Sequence, residues 1–143
     1  MSKYVKGAHH INLRPNHENY DACMKFYTED LGLEMTSFWN KMRGDFNSRN
    51  CFIECGNGTT LEVCECETGT TDAGIIQHFS LEVNSVRELM THLKEKGYTF
   101  SNSKGQPTDD SIIDATVCGV HMNIFFVKSP SGELVEFLEI VKD

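Results

Sequence analysis

Two histidines and two glutamates stand at matching places in this chain, and they are the side chains best suited to chemistry. His10 opens HINLR and His78 opens HFSLEV; Glu62 lies in TTLEVCEC and Glu136 in GELVEFLEI. Two imidazoles and two carboxylates make a ligand set for a divalent transition metal, with positions left over for water or substrate. Such an ion acts as a Lewis acid on neighbouring substrate oxygens. A carboxylate in a low-dielectric pocket beside it can act as general base. Glu136 and Glu62 are the candidate catalytic groups; His10, Glu62, His78 and Glu136 are the candidate metal ligands.

The elements that must position these residues repeat. AHHINLRPNHENYDACMKFYTEDLGLEM and IQHFSLEVNSVRELMTHLKEKGYTF each read as strand, turn, amphipathic helix, Gly and a new strand. CFIECGNGTTLEVCEC and IFFVKSPSGELVEFLEI each read as strand, Gly-bearing turn and strand. His10 then aligns with His78, Gly32 with Gly97, Gly58 with Gly132 and Glu62 with Glu136. The pattern predicts one domain over 1–143. It consists of two strand–helix–three-strand modules at about 7–67 and 75–142, joined by a polar linker at about 68–74. The first helix is expected over about 18–31. The second is marked by the Ser85/Glu88 capping box, the Val86, Leu89, Met90, Leu93 stripe and Gly97 as its stop. Residues 40–50 and 101–110 lack periodicity and read as loops beside the working surface.

Alternation along strands sorts the faces. Ile11 and Leu13 point one way, His10, Asn12 and Arg14 the other. Phe79, Leu81 and Val83 oppose His78, Ser80 and Glu82. Thr60, Glu62, Cys64 and Cys66 share a face, against Leu61 and Val63. Glu136 shares a face with Leu134, Leu138 and Ile140, where a carboxylate is costly unless a positive partner lies close. If the sheets join into one curved surface, the four ionisable groups meet on its concave side. Arg14, Arg43 and Arg49, with Lys41, are candidates to hold an anionic tail of a substrate. His121 is a candidate neighbour of the pocket. His9 has the parity of Ile11, and His17 and His92 read as surface residues.

Composition narrows the partners. Among 143 residues, Lys and Arg total 13 against 21 Asp and Glu, a net charge of −8. That balance argues against nucleic acid and anionic membranes, both of which need a basic footprint. No apolar run approaches a membrane span. The N-terminal segment lacks a signal-peptide pattern, so a cytoplasmic location is expected. The six cysteines include no CxxC pair and read as reduced thiols lining core or pocket.

The segments HINL, KFYTEDLGLE, QHFSLEV and SPSGELVEF together resemble the vicinal oxygen chelate superfamily, the glyoxalase I / bleomycin resistance / dioxygenase group. The resemblance covers nearly the whole chain. It implies an α+β fold of two βαβββ modules forming a cupped eight-stranded mixed sheet with helices on the convex face. It also implies four metal ligands at His10, Glu62, His78 and Glu136, with Ni or Zn favoured and Co, Mn or Fe as alternatives. Retention of all four is most similar to glyoxalase I (lactoylglutathione lyase). That implies a lyase or isomerase moving a proton between adjacent carbons of a thiol adduct of an α-keto aldehyde, through a metal-bound enediolate. Arg14 matches a position that contacts a carboxylate of the glutathione carrier. Cys66 stands where those enzymes typically have Asn, and Ser129-Pro130-Ser131-Gly132 replaces the common Asp-Pro-Asp-Gly. Relatives of this size are commonly homodimers, some with sites shared between chains. Two other readings stay open: an Fe(II) ring-cleaving dioxygenase, and a metal-free protein that sequesters a small molecule such as an antibiotic.

Overall fold

The first strand is short because Pro15 and the capping residue Asn16 follow at once. In the computed structural model, which describes residues 2–4, 8–68, 77–117 and 119–142, β1 is His10–Leu13. The Asn16 side chain then accepts from the Asn19 amide and starts helix α1, His17–Met24. The helix continues as a π-helical turn, Lys25–Asp30, closed by the Leu31 amide donating to the Phe26 carbonyl. Cys23, Phe26, Tyr27 and Asp30 are buried along it. The helix expected over 18–31 thus changes winding at Lys25, and Phe26 joins its buried side.

Three strands complete the first half: β2 Glu34–Arg43, β3 Phe46–Glu54 and β4 Thr60–Cys64. The sheet order is β1-β4-β3-β2, with β1 parallel to β4 and the other pairs antiparallel. Residues 40–50, expected as a loop, are instead the end of β2, a tight turn at Gly44 (φ 64°) and the start of β3. β2 is an exposed edge strand with polar residues on both faces, which hides its alternation.

The second half opens with β5, Phe79–Glu82, and helix α2, Val86–Glu95. Ser85 caps α2 by accepting from the Glu88 amide, and Val86, Met90 and Leu93 are buried, as the stripe predicts. Gly97 (φ 92°) ends it in the left-handed conformation, while the Tyr98 amide reaches back to the Leu93 carbonyl. Then come β6 Phe100–Ser101, β7 Pro107–Thr108, β8 Ile113–Val117, β9 Val120–Lys128 and β10 Leu134–Ile140. The sheet runs β5-β10-β9-β6-β7, and β8 also pairs with β9. β10 is parallel to β5 and antiparallel to β9. β6 begins at Phe100, where a strand start was expected, and its partner β7 lies within the residues 101–110 expected as a loop.

The chain divides into two compact units, Met1–Thr70 and Thr71–Asp143. The architecture is α+β with two mixed sheets. Most of the expected linker, 69–74, lies outside the described residues, as does Cys118. In the first unit Leu61, Val63, Cys51 and Ile53 are fully buried, and so are Cys23, Phe26 and Tyr27. In the second, Phe125 and Phe137 pair across β9 and β10 with rings 5.1 Å apart, and Phe100 meets Phe125 edge-on at 5.6 Å.

Candidate functional site

Each unit builds a His–Glu pair in the same way. Parallel pairing sets Asn12 opposite Glu62 in the first unit and Ser80 opposite Glu136 in the second. Because β1 and β5 run parallel to their partners, the histidine two residues earlier falls on the same face as the glutamate. His10 Nε2 lies 3.9 Å from Glu62 Oε1. His78 Nε2 lies 3.5 Å from Glu136 Oε2. The residue between supplies a hydrogen bond: Asn12 Nδ2 donates to Glu62 Oε1 at 2.8 Å, and Ser80 Oγ to Glu136 Oε1 at 2.5 Å. An antiparallel neighbour walls each pair with a phenylalanine opposite the glutamate. Phe52 meets the His10 ring edge-on at 6.0 Å, and Phe126 meets His78 at 5.4 Å. Asn12, Ser80, Phe52 and Phe126 carry no distinctive sequence signal singly. Their matching offsets from the repeated His and Glu were the available clue.

The histidines are oriented from behind. His78 Nδ1 is hydrogen-bonded to the Gln77 Oε1 carbonyl oxygen. That contact leaves Nε2 on the Glu136 side. His10 Nδ1 pairs with His9 Nδ1 at 2.9 Å, again leaving Nε2 on the glutamate side.

These donors suit a divalent ion. Lone pairs of an imidazole nitrogen and a carboxylate oxygen repel at 3.5–3.9 Å unless a proton or cation accompanies them. That spacing is longer than a hydrogen bond. It approaches the ligand–ligand edge, about 3.0–3.4 Å, of a centre with bonds near 2.1 Å. Among the described residues no group of three or more His, Cys, Asp or Glu side chains is placed to hold a metal ion; each unit contains a His–Glu pair.

The surroundings differ. Glu62 faces polar neighbours. Cys64 Sγ lies 3.6 Å from its Oε1 and 3.4 Å from Asn12 Nδ2. Asn50 sits opposite Cys64 and accepts from Arg43 Nη2 at 3.4 Å, while Arg43 Nε is buried without a hydrogen-bond partner. Arg14 Nε donates to Cys66 Sγ at 3.3 Å, and that bond holds the guanidinium pKa up. Burial pushes the Cys64 thiol up, with the Glu62 charge adding to the rise. Glu136 instead stands among Ile124, Phe126, Leu134 and Leu138. Its side chain is 13% exposed against 24% for Glu62.

Arg49 and His121, expected beside the pocket, stand on the other face of their sheets. Arg49 has the parity of the buried Cys51 and Ile53. It grips Glu65 through Nε–Oε1 at 2.9 Å and Nη2–Oε2 at 2.7 Å, reaches Asp21 at 3.0 Å and stacks on Tyr20 at 4.1 Å. All three of its nitrogens are thereby engaged. His121 shares parity with Phe125 and is bound by Asp114 of β8 at 2.9 Å. Lys41 and Arg43 have the parity of Trp39, whose partner across β3 is Asn50, and so lie on the Glu62 face.

Glu65 was missed by the sequence reading. Its carboxylate is only 1% exposed. The Arg49 guanidinium first, then His17 Nδ1 at 2.7 Å, hold its carboxyl down at about 2 against the opposing effect of burial. Three residues after Glu136, at the equivalent place, Glu139 Oε2 accepts from the Val86 amide at the start of α2 at 3.0 Å. In both units the carboxylate three positions on ties the site strand to a helix N-terminus. Its parity in LEVCEC, that of buried Leu61 and Val63, was the signal.

The family follows from these features and the sequence match. Residues 7–137 match the family model described as the Glyoxalase/Bleomycin resistance protein/Dioxygenase superfamily. The chain belongs to that superfamily. Among solved structures it is similar to a glyoxalase family protein from Enterococcus faecalis. That match has 22% identity, covers 95% of this chain and 99% of the other, and has a TM-score of 0.67. The trypanothione-dependent glyoxalase I of Leishmania major is similar at 21% identity, with 94% and 87% covered and a TM-score of 0.68. A fosfomycin resistance protein from Listeria monocytogenes, solved as a glutamate-to-glutamine mutant with Mn(II) and dihydroxypropylphosphonic acid, is similar at 14% identity, with 93% and 91% covered and a TM-score of 0.65. No curated protein matches the sequence. Among the described residues no helix is long and apolar enough to cross a membrane.

Proposed function

We propose that the protein is a divalent-metal-dependent lyase or isomerase of the glyoxalase I type. In this reading His10, Glu62, His78 and Glu136 are the ligands of one ion, and Glu136, with Glu62 as its counterpart, moves the proton. The observation that carries the reading is the duplicated half-site: the same strand register, a similar His–Glu separation and a hydrogen-bonded glutamate in both units. A bound divalent ion, Ni or Zn by preference, supplies Lewis-acid polarisation of adjacent substrate oxygens.

The chain's own residues do the rest. Ser80 fixes Glu136 Oε1, leaving Oε2 on the His78 side to take a proton from the carbon beside a carbonyl. The same oxygen returns that proton to the neighbouring carbon. A thiohemiacetal of an α-keto aldehyde thereby becomes a 2-hydroxyacyl thioester, with no atom gained or lost. The apolar neighbours of Glu136 keep water from competing for the proton. Arg14 and Arg43 hold the anionic tail of the substrate. The reading carries with it a cytoplasmic homodimer acting on a small molecule.

Methylglyoxal mixed with glutathione, or with another thiol, tests the proposal by thioester absorbance with Ni or Zn added. Turnover is expected, and Glu136→Gln is expected to lower it by about 10²–10⁴-fold. Absence of turnover with every thiol tried would contradict the reading. Oxygen uptake with a catechol would replace it by ring cleavage. Metal-independent ligand binding that tolerates Glu136→Gln would replace it by sequestration.

A further inference from the structure

Beyond Glu136 the two faces of the second sheet exchange character. β8 reads IDATV from Ile113, and β9 opens with VHMNI from Val120. Both alternate strictly, and pairing puts like with like: Ile113 opposite Ile124, Ala115 opposite Met122, Val117 opposite Val120. β10 extends two of these rungs, with Leu138 opposite Ile124 and Ile140 opposite Met122. Residues opposite one another share a face, and this is the face of Glu136 and Phe126, which form the next rung. None of these apolar rungs carries a charge on β8, β9 or β10; Glu82, opposite Leu138, borders them at the β5 edge. The other face carries Glu139, Asn123 and Asp114, then His121 and Thr116, with His121 bound to Asp114. Alternation ordinarily turns the apolar side to the core. Here the side of Phe125 and Phe137 receives the polar set, and the apolar set is left open. Ile113 is 43% exposed, Val117 54% and Val120 40%.

A contiguous exposed apolar patch marks a surface that binds something. This one is a strip, three strands wide at Ile124 and two at Val120. From Phe126 to Val120 it runs about 20 Å along β9. One end lies on the rung of Glu136, the group assigned to move the proton, and the other reaches the exposed end of the β8–β9 hairpin. A molecule that presents its reacting carbon to Glu136 therefore lays what lies behind that carbon along the strip. We propose that the strip holds an unbranched alkyl chain of the substrate. The inference rests on the function proposed above, and it makes the substrate class medium-chain alkyl α-keto aldehydes, as their thiol adducts, rather than methylglyoxal. A single methyl group would leave Met122, Val117 and Val120 in water. Each methylene laid on the strip leaves water for apolar contact and tightens binding by about two- to fourfold.

The test reads binding separately from turnover. Calorimetry on the full chain with Zn added compares lactate, 2-hydroxyhexanoate and 2-hydroxyoctanoate, the acids of short and longer products. Affinity is expected to rise by about two- to fourfold per methylene. Val117→Ser and Val120→Ser, at exposed positions where folding tolerates the change, are expected to flatten that slope, and Met122→Gln to flatten it more. Thr116→Ser, on the other face of β8, should leave the slope as it is. No binding, affinity independent of chain length, or a slope that survives all three strip variants would overturn the proposal. So would a flat series from a dimer that Val117→Ser and Val120→Ser together convert to monomer in gel filtration, which would make the strip a contact with a second copy. Failure of the function proposed above looks different: no thioester from methylglyoxal or hexylglyoxal with any thiol, while the chain-length slope remains. Turnover of methylglyoxal with no preference for hexylglyoxal would keep that function and remove the alkyl track.

Discussion

Glu62 and Glu136 hold the same register in their sheets but face different company. Beside Glu62 stand Asn12 and Cys64, and further along the same sheet face come Asn50 with Arg43 and Cys66 with Arg14. Around Glu136 stand Ile124, Phe126, Leu134 and Leu138, with the Ser80 hydroxyl as its one polar tie among the described residues besides His78. Pairing register alone sets the His–Glu geometry, so it survives wide divergence between the two copies. The side chains flanking it do not share that constraint, and they give one half a polar, cationic face and the other an apolar one.

The support beneath each pair differs in the same sense. The second unit rests on stacked aromatics, and the first adds to its apolar core an ionic network around the buried Glu65. Phe137→Ala should cost about 3–5 kcal/mol, from lost transfer energy and the cavity left against Phe125, with little dependence on pH. Urea denaturation across a pH series measures both properties. Glu65→Gln should cost about 3 kcal/mol at neutral pH, because a neutral amide replaces the buried carboxylate that Arg49 and His17 bind. Glu139→Gln, which keeps an oxygen for the Val86 amide, should cost about 1 kcal/mol or less. Equal losses at Glu65 and Glu139 would erase the contrast.

Acid sharpens it further. The Glu65 carboxyl titrates at about 2 when folded, against an ordinary 4.5. Its charged form is thus the one that folding favours. The stabilisation is complete above about pH 4.5 and disappears as pH falls towards 2. Thermal melts of the parent chain should lose stability across that window, and Glu65→Gln should show a flatter profile there. An unchanged slope would mean that the network contributes no pH-dependent stability.

Much of this was legible in the sequence because the repeat doubles every signal. The α2 cap, its buried stripe and its glycine stop were all readable from residues 85–97. Strand parity placed His10 with Asn12, and Glu62 with Cys64. The α+β class and the superfamily were readable from the same segments. What escaped was of three kinds. The β2–β3 hairpin has polar residues on both faces of an exposed edge, so alternation gives no signal there. Glu65 is buried under Arg49 and His17, and charged residues read one at a time suggest solvent. The switch from α to π winding at Lys25 has no marker that periodicity can detect.

The central claim is that the two His–Glu pairs act as ligands of one ion. Titration of the metal-stripped protein with Ni or Zn, followed by calorimetry and by elemental analysis after gel filtration, tests it most directly. One ion per chain is predicted, with binding weakened by about tenfold or more in each of His10→Ala, Glu62→Gln, His78→Ala and Glu136→Gln. Unchanged binding in all four variants, or two independent ions per chain each lost with only one pair, would contradict it.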